Sequence, residues 1–297
     1  MKRLLLLLAT GLFPSASALT LQDNDTVVFL GNTVVERAQK YGHFETALTL
    51  AANRENLKFR NLGWSGDTVF GHARSYFGPP SEGFRRLTAD LTELKPEVVI
   101  LCYGAVAAFD GEEGLADFLK GYETLLAMIK KAANPREIVL VSPPPAESLP
   151  APMPKMDAHN ENLARYAKAL GELAAKHDLD FADFFTTAGS VQGLTDNGIH
   201  LTAEGYRALA PKFLEALGMS VPASLESPRV GNLRDAIVAK NKLFFFRWRP
   251  ANETYLRLFR KHEQGQNVKE LPMFDPLIEN AEKDIEALRT SISPSQK

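Results

Sequence analysis

The most suggestive residue for chemistry is His200, within DNGIHLTAEGY, residues 196–206. An Asn-Gly turn precedes it, and Thr202 follows as the expected N-cap of a helix with Glu204 in its first turn. An imidazole held there suits a general base. On these residues alone two readings stay open, a base at a cleft or a surface histidine at a helix start. The second suggestive stretch is VVFLGNTVVER, residues 27–37. It reads as a strand, a glycine, a small polar pair and the start of a helix, a turn that can present a nucleophile above a sheet. Asn32 and Thr33 stand at the turn, with neither serine nor cysteine.

Both stretches need a scaffold, and apolar runs alternating with helical patterns supply one. Strands are expected at 26–30, 57–63, 97–104, 136–143 and 179–185. Helices are expected at 34–54, 85–94, 113–132, 157–177 and 202–217. Alternation of this kind implies right-handed crossovers and a parallel sheet covered on both faces. The strand runs are apolar at nearly every residue, as doubly covered strands are. Ligands then bind beyond the carboxyl ends of the strands, where the loops carrying Asn32 and His200 lie.

Residues from Pro228 onward show no strand alternation. A long helix closed by Pro250 and a second over 275–289 read as a helical extension. Arg247, Arg249, Arg257, Arg260 and Lys261 interleave there with Phe246, Trp248, Tyr255 and Phe259. Two readings are open: a basic-aromatic binding surface, for which a glycan or anionic partner suits better than nucleic acid, or aromatics packed on the α/β domain with arginines paired to acidic neighbours. If the extension is only a docking surface, removing it should leave the α/β domain folded.

The formal charge of -2 gives no general pull toward nucleic acid or anionic membrane. Residues 1–18 read as a secretory signal peptide: Lys2 and Arg3, an apolar run from Leu4 to Phe13, and a small-residue cleavage site at Ala16-Ser17-Ala18. That run is shorter than the roughly 20 residues a span requires, so export to the periplasm or the medium is expected, without a membrane span. The domain expectation is therefore 1–18 signal peptide, 19–222 α/β domain and 228–297 extension. Cys102, the single cysteine, falls in an apolar strand and reads as core. No cofactor or metal site is expected, since no Cys/His group has zinc spacing.

The order of the segments resembles the SGNH/GDSL hydrolase family over about residues 26–217. Four blocks carry the resemblance: Gly31-Asn32-Thr33, then Asn61-Leu62-Gly63-Trp64-Ser65-Gly66-Asp67-Thr68, then Gly104-Ala105-Val106, and finally Asn197-Gly198-Ile199-His200. The family pattern is Gly-Asp-Ser, a glycine loop, Gly-x-Asn and Asp-x-x-His on the same elements. The resemblance implies a three-layer α/β/α, flavodoxin-like fold with a five-stranded parallel sheet. It also implies attack on an acyl or acetyl ester by Thr33, assisted by His200 and Asn197. Gly66 and a backbone amide at Asn32 or Thr33 would hold the oxyanion, and a small ester or glycan would be the ligand.

Three departures bear on that chemistry. Thr33 replaces serine, and its methyl group stiffens χ1 and crowds the approach. Val106 replaces an asparagine that would donate to the oxyanion, a loss of about 10²–10³ in turnover. Asn197 replaces the aspartate that orients the histidine, a change that costs about 10⁴ in a serine-protease triad. Asp196 could turn in to replace it, and Ser65 is the serine closest to the cleft. The implied alternative to a weakened Thr-His hydrolase is an SGNH-fold binding module without catalysis. Asp67 reads as a turn cap, with the pocket as its alternative; His72 reads as exposed and His43 as structural.

Overall fold

The computed structural model describes residues 18–293. The expected signal peptide lies outside the described residues except for Ala18. The chain runs β1 (Thr26–Gly31), α1 (Thr33–Tyr41), α2 (His43–Ala52), β2 (Lys58–Asn61), α3 (Pro80–Leu94), β3 (Val98–Cys102), α4 (Leu115–Ala132), β4 (Glu137–Val141), α5 (Asp157–Lys176), β5 (Asp180–Ala182), α6 (Phe184–Ala188) and α7 (Ala203–Ala216). The five strands form one sheet in the order β2-β1-β3-β4-β5, and every pairing is parallel.

The two-residue period of the strands divides the core. Val27, Phe29, Val98, Ile100, Val139 and Val141 face one layer, where Phe44 and Leu48 of α2 and Leu209 and Phe213 of α7 cover them. Val28, Leu30, Val99, Leu101, Ile138 and Leu140 face the other, under Leu91 of α3, Leu125 of α4 and Leu170 of α5. The three-layer expectation therefore holds. The strand order reverses between β1 and β3, and sheets of this type bind ligands in the crevice beyond the carboxyl ends at such a reversal.

Several boundaries differ from expectation. The helix expected over 34–54 is two helices, because Gly42 sits at φ +73° and breaks it. Helix α3 begins at Pro80, five residues before Arg85, since a proline with its fixed φ and missing N–H suits the first turn. Phe184 and Phe185, expected in the fifth strand, start the short helix α6, with Asp183 accepting from the Thr186 N–H at 3.0 Å.

The extension comprises α8 (Val230–Trp248), two single turns α9 (Glu253–Leu256) and α10 (Lys261–Gln264), and α11 (Asp275–Ile292). It is not a detached appendage. Leu233, Ile237 and Ile285 cluster with Leu50 of α2, while Phe244 and Ile278 join the core beneath the sheet. Lys240 is buried, 2.7 Å from Glu45 and donating to the Phe59 carbonyl at 3.0 Å. Arg247 pairs with Glu93 at 2.9 Å and with Asp275 of α11 at 3.0 Å. Arg247, Arg249, Arg257 and Arg260 thus meet acidic neighbours and Trp248 packs inward, whereas Phe246 and Phe259 stay exposed, so the packed-aromatic reading holds only in part.

Candidate active site

Thr33 is the first residue of α1, and Asn32 before it is buried. The Asn32 carbonyl accepts from the Val35 and Glu36 N–H groups at 3.1 and 3.0 Å, closing the turn from β1 into the helix. The first N–H groups of a helix have no partner within it, which leaves the Thr33 amide available to the crevice. The turn is held from behind by Tyr206 of α7, whose hydroxyl donates to the Val34 carbonyl at 2.7 Å.

The loop after β2 lies flush against this helix start. A Cβ on Gly63 would fall 2.4 Å from the Glu36 nitrogen, so only glycine lets the backbones approach this closely. Two residues on, the Ser65 N–H donates to the Glu36 carboxylate. The Gly66 N–H donates to the Thr33 hydroxyl oxygen at 3.3 Å. The donor assigned to the oxyanion therefore stands beside the atom assigned as nucleophile. Ser65 itself is exposed and does not line the crevice.

Asp67 serves neither of its expected roles alone. It is 1% exposed and binds the Arg74 Nε at 2.7 Å, the Tyr103 hydroxyl at 3.0 Å and the Ala73 N–H at 3.2 Å. The Arg74 guanidinium also donates to the Leu62 carbonyl. A buried charge needs such a set of partners, and the network fixes the loop that carries Gly66. His72 is exposed, with its Nδ1 2.8 Å from the Thr68 hydroxyl. His43 is half-buried at the start of α2.

His200 enters from the loop before α7, whose N-cap is Thr202, accepting from the Gly205 N–H at 3.1 Å as expected. The Oδ1 of Asn197 accepts from the backbone N–H groups of Ile199 and His200 at 3.1 and 2.8 Å. That fixes the orientation of the amide, so its Nδ2 faces the His200 Nδ1 at 3.1 Å. An amide NH₂ only donates, so Nδ1 must accept and the ring proton sits on Nε2. Asp196 does not replace Asn197. Its Oδ2 is 2.7 Å from Arg37, and its Oδ1 lies 3.9 Å from Nδ1. Burial, and next the Arg37 charge, hold the His200 pKa below the ordinary histidine value against the pull of Asp196.

Thr33, Asn32, Arg37 and His200 line one cleft of about 140 Å³. Its remaining wall is mostly apolar, from Val106, Phe109, Pro144, Pro145, Ala146 and Leu163. Val106 stands where a side-chain donor is missing and is 40% exposed. Three further residues escaped the sequence reading. Arg37 clamps Asp196 and donates to the Leu201 carbonyl at 3.3 Å. Glu147 takes the Gly193 N–H at 2.7 Å and the Thr195 N–H at 3.1 Å, while its own N–H donates to the Gly198 carbonyl at 2.7 Å, anchoring the His200 loop. His159, buried in the cleft wall, stacks on Phe109 with centroids 3.8 Å apart. No local motif marks them, because each acts across a long stretch of chain. Among the described residues, no group of three or more His, Cys, Asp or Glu is placed to hold a metal ion.

A parallel five-stranded sheet with a threonine, an imidazole and a glycine amide at the switch point defines a hydrolase-type α/β fold. The GDSL-like lipase/acylhydrolase family matches residues 31–208, and the chain belongs to that family. Among solved structures, a catalytic variant of the acetylxylan esterase Axe2 from Geobacillus stearothermophilus is similar at 15% identity and a TM-score of 0.53, covering 69% of this chain and 100% of that one. A hydrolase from the metagenome of Lake Arreo matches at 18% identity and a TM-score of 0.50, covering 67% and 97%. A gut microbial diltiazem-metabolizing enzyme is similar over 94% of this chain and 96% of its own, at 13% identity and a TM-score of 0.63. That match extends across the α8–α11 extension as well as the sheet. No curated protein sequence matches.

Proposed function

We propose that the chain is an exported ester hydrolase that cleaves an acyl or acetyl ester of a small molecule or carbohydrate, slowly. The observation that carries this reading is that Thr33 and His200 line one cleft, with the Gly66 N–H on the Thr33 hydroxyl oxygen. In the reaction the Thr33 oxygen bonds to the ester carbonyl carbon and its proton passes to the His200 Nε2. The carbonyl oxygen takes up negative charge beside the Gly66 and Thr33 amides. The C–O bond to the alcohol then breaks and the alcohol leaves with the proton from Nε2. Water repeats the sequence to release the acid and regenerate Thr33.

Proton transfer to Nε2 requires that the ring proton sit on Nδ1. Asn197 must then turn its oxygen toward the ring, at the expense of the two backbone bonds its Oδ1 accepts. This is the physical reason for slow turnover. Export is read from the character of residues 1–18: Lys2 and Arg3, the apolar run from Leu4 to Phe13 and the small-residue site at Ala16-Ser17-Ala18.

A second reading, a cleft that binds its ester or glycan without turning it over, is favoured by the Asn197 Nδ2 facing Nδ1. Assays on nitrophenyl acetate separate the two. The hydrolase reading expects measurable turnover lost in His200→Ala and labelling of Thr33 by a fluorophosphonate probe. Turnover that survives in His200→Ala removes it, and absence of both turnover and labelling leaves the binding reading.

A further inference from the structure

We infer that Arg249, at the end of α8, is a positioning residue for the amides of the Ser65–Gly66 loop, and that the helical extension thereby governs the oxyanion side of the cleft. Arg249 lies well outside residues 31–208, the span matched by the family. Its Nη1 is 3.1 Å from the Glu36 Oε2, the same oxygen that accepts the Ser65 N–H. Nη1 also approaches the Gly63 carbonyl at 3.5 Å. The guanidinium lies over the Trp64 ring at 4.0 Å and near the Phe245 ring at 5.0 Å. One planar cation therefore touches Gly63, Trp64 and, through Glu36, Ser65.

The local charges explain why the cation is needed. Glu36 sits in the first turn of α1, where a carboxylate is favoured by the helix dipole. Its side chain is only 18% exposed, and a carboxylate with that little water needs a paired charge. Arg249 supplies it. Without Arg249, Glu36 gains by turning to solvent, and the Ser65 N–H loses its acceptor. Gly66 is the next residue, and its N–H is the one at the Thr33 oxygen. Arginine suits the role better than lysine because it stacks flat on an indole while bonding in its own plane.

The placement of the amides by Arg249 stands on geometry alone; its effect on rate rests on the ester-hydrolase reading. Two measurements keep these apart. Amide hydrogen exchange is followed by NMR at Ser65 and Gly66 in the full chain, for the parent, Arg249→Ala, Arg249→Lys and Glu36→Gln. Val99–Leu101 in β3 report global stability. We expect at least tenfold faster exchange at Ser65 in Arg249→Ala, an intermediate value in Arg249→Lys, and unchanged β3 amides. Should Arg249→Ala loosen β3 as well, Glu36→Gln decides, since it keeps the shape and removes the charge Arg249 pairs with. Ser65 exchange equal to the parent in Glu36→Gln and Arg249→Ala overturns the inference. In the Asn197→Asp background, Arg249→Ala is expected to lower kcat on nitrophenyl acetate tenfold with KM within twofold, and Arg249→Lys to recover part of it. Absence of turnover in both the parent and this background removes the hydrolase reading, and Ser65 exchange alone then decides whether Arg249 positions the loop.

Discussion

Asn197 presents its amide nitrogen, not its oxygen, to the His200 Nδ1 at 3.1 Å, because its oxygen is already committed to the Ile199 and His200 N–H groups. An aspartate at that position has a second oxygen free to accept from Nδ1. Asn197→Asp is therefore expected to shift the ring proton to Nδ1 and raise kcat on nitrophenyl acetate tenfold or more, against the loss of about 10⁴ for the reverse change in a serine-protease triad. Nitrogen-15 NMR of the imidazole checks the tautomer independently of turnover. An unchanged tautomer in the variant sinks the explanation.

Val106 lines the cleft with Thr33 and His200 and offers it no side-chain donor. It is 40% exposed in an αR turn, with φ −77° and ψ −47°, so asparagine fits without a core penalty. In the Asn197→Asp background, Val106→Asn is expected to add up to about 10²–10³ in kcat. Steady-state kinetics with KM measured alongside checks it; a gain confined to KM points to binding rather than oxyanion stabilisation.

Asp67 and Arg74 form a buried ion pair inside the loop that carries Gly66. Removing one partner strands the other in a dry site. Asp67→Ala is expected to cost about 3–5 kcal/mol in urea unfolding, well above the effect of breaking the exposed pair Glu204–Arg207, which solvent screens. A loss under about 1 kcal/mol for Asp67→Ala would mean that solvent reaches the pair.

Histidine burial sets an acid limit. Burial, then the charges of Arg234 and Arg207, lower the His43 pKa from 6.5 to about 4, against the opposing charge of Glu204. Below about 6.5 the unfolded chain takes up this proton before the folded one does, so the His43 contribution to stability is lost as pH falls from 6.5 toward 4. Asp90 acts with the opposite sign, because burial raises its carboxyl to about 6. The check is therefore the difference between parent and His43→Gln in thermal midpoint. The variant should lose less on going from about pH 7 to about pH 4.5, and parallel curves refute the assignment.

Phe244 of the extension is 1% exposed and belongs to the core beneath the sheet. Phe244→Ala is expected to cost about 3–5 kcal/mol, and truncation after Pro228 to lower the thermal midpoint of the α/β domain. A truncated chain with the parent's midpoint would show that the extension is merely attached.

The alternation of strands and helices, the Thr202 cap and the Asn197-to-His200 spacing were legible because each rests on residues within one turn or one strand of each other. The block pattern then placed Thr33, Gly66 and His200 at one edge of the sheet. Arg37 reaches Asp196 across 159 residues, and such a pair leaves no trace in local periodicity. Asp67 read as a turn residue because its partner Arg74 comes within reach only after the loop coils back. Gly42 was visible in the sequence, but an apolar period continuing on both sides masked the break it makes.

Lys240 donates to the Phe59 carbonyl, and Phe59 lies on β2, one of the two edge strands of the sheet. That carbonyl points away from β1, where a further strand would pair. An unshielded margin of this kind can recruit another chain's strand and grow into polymers. The buried lysine and the helix that carries it cover that margin, so the carbonyl an incoming strand would need is already taken.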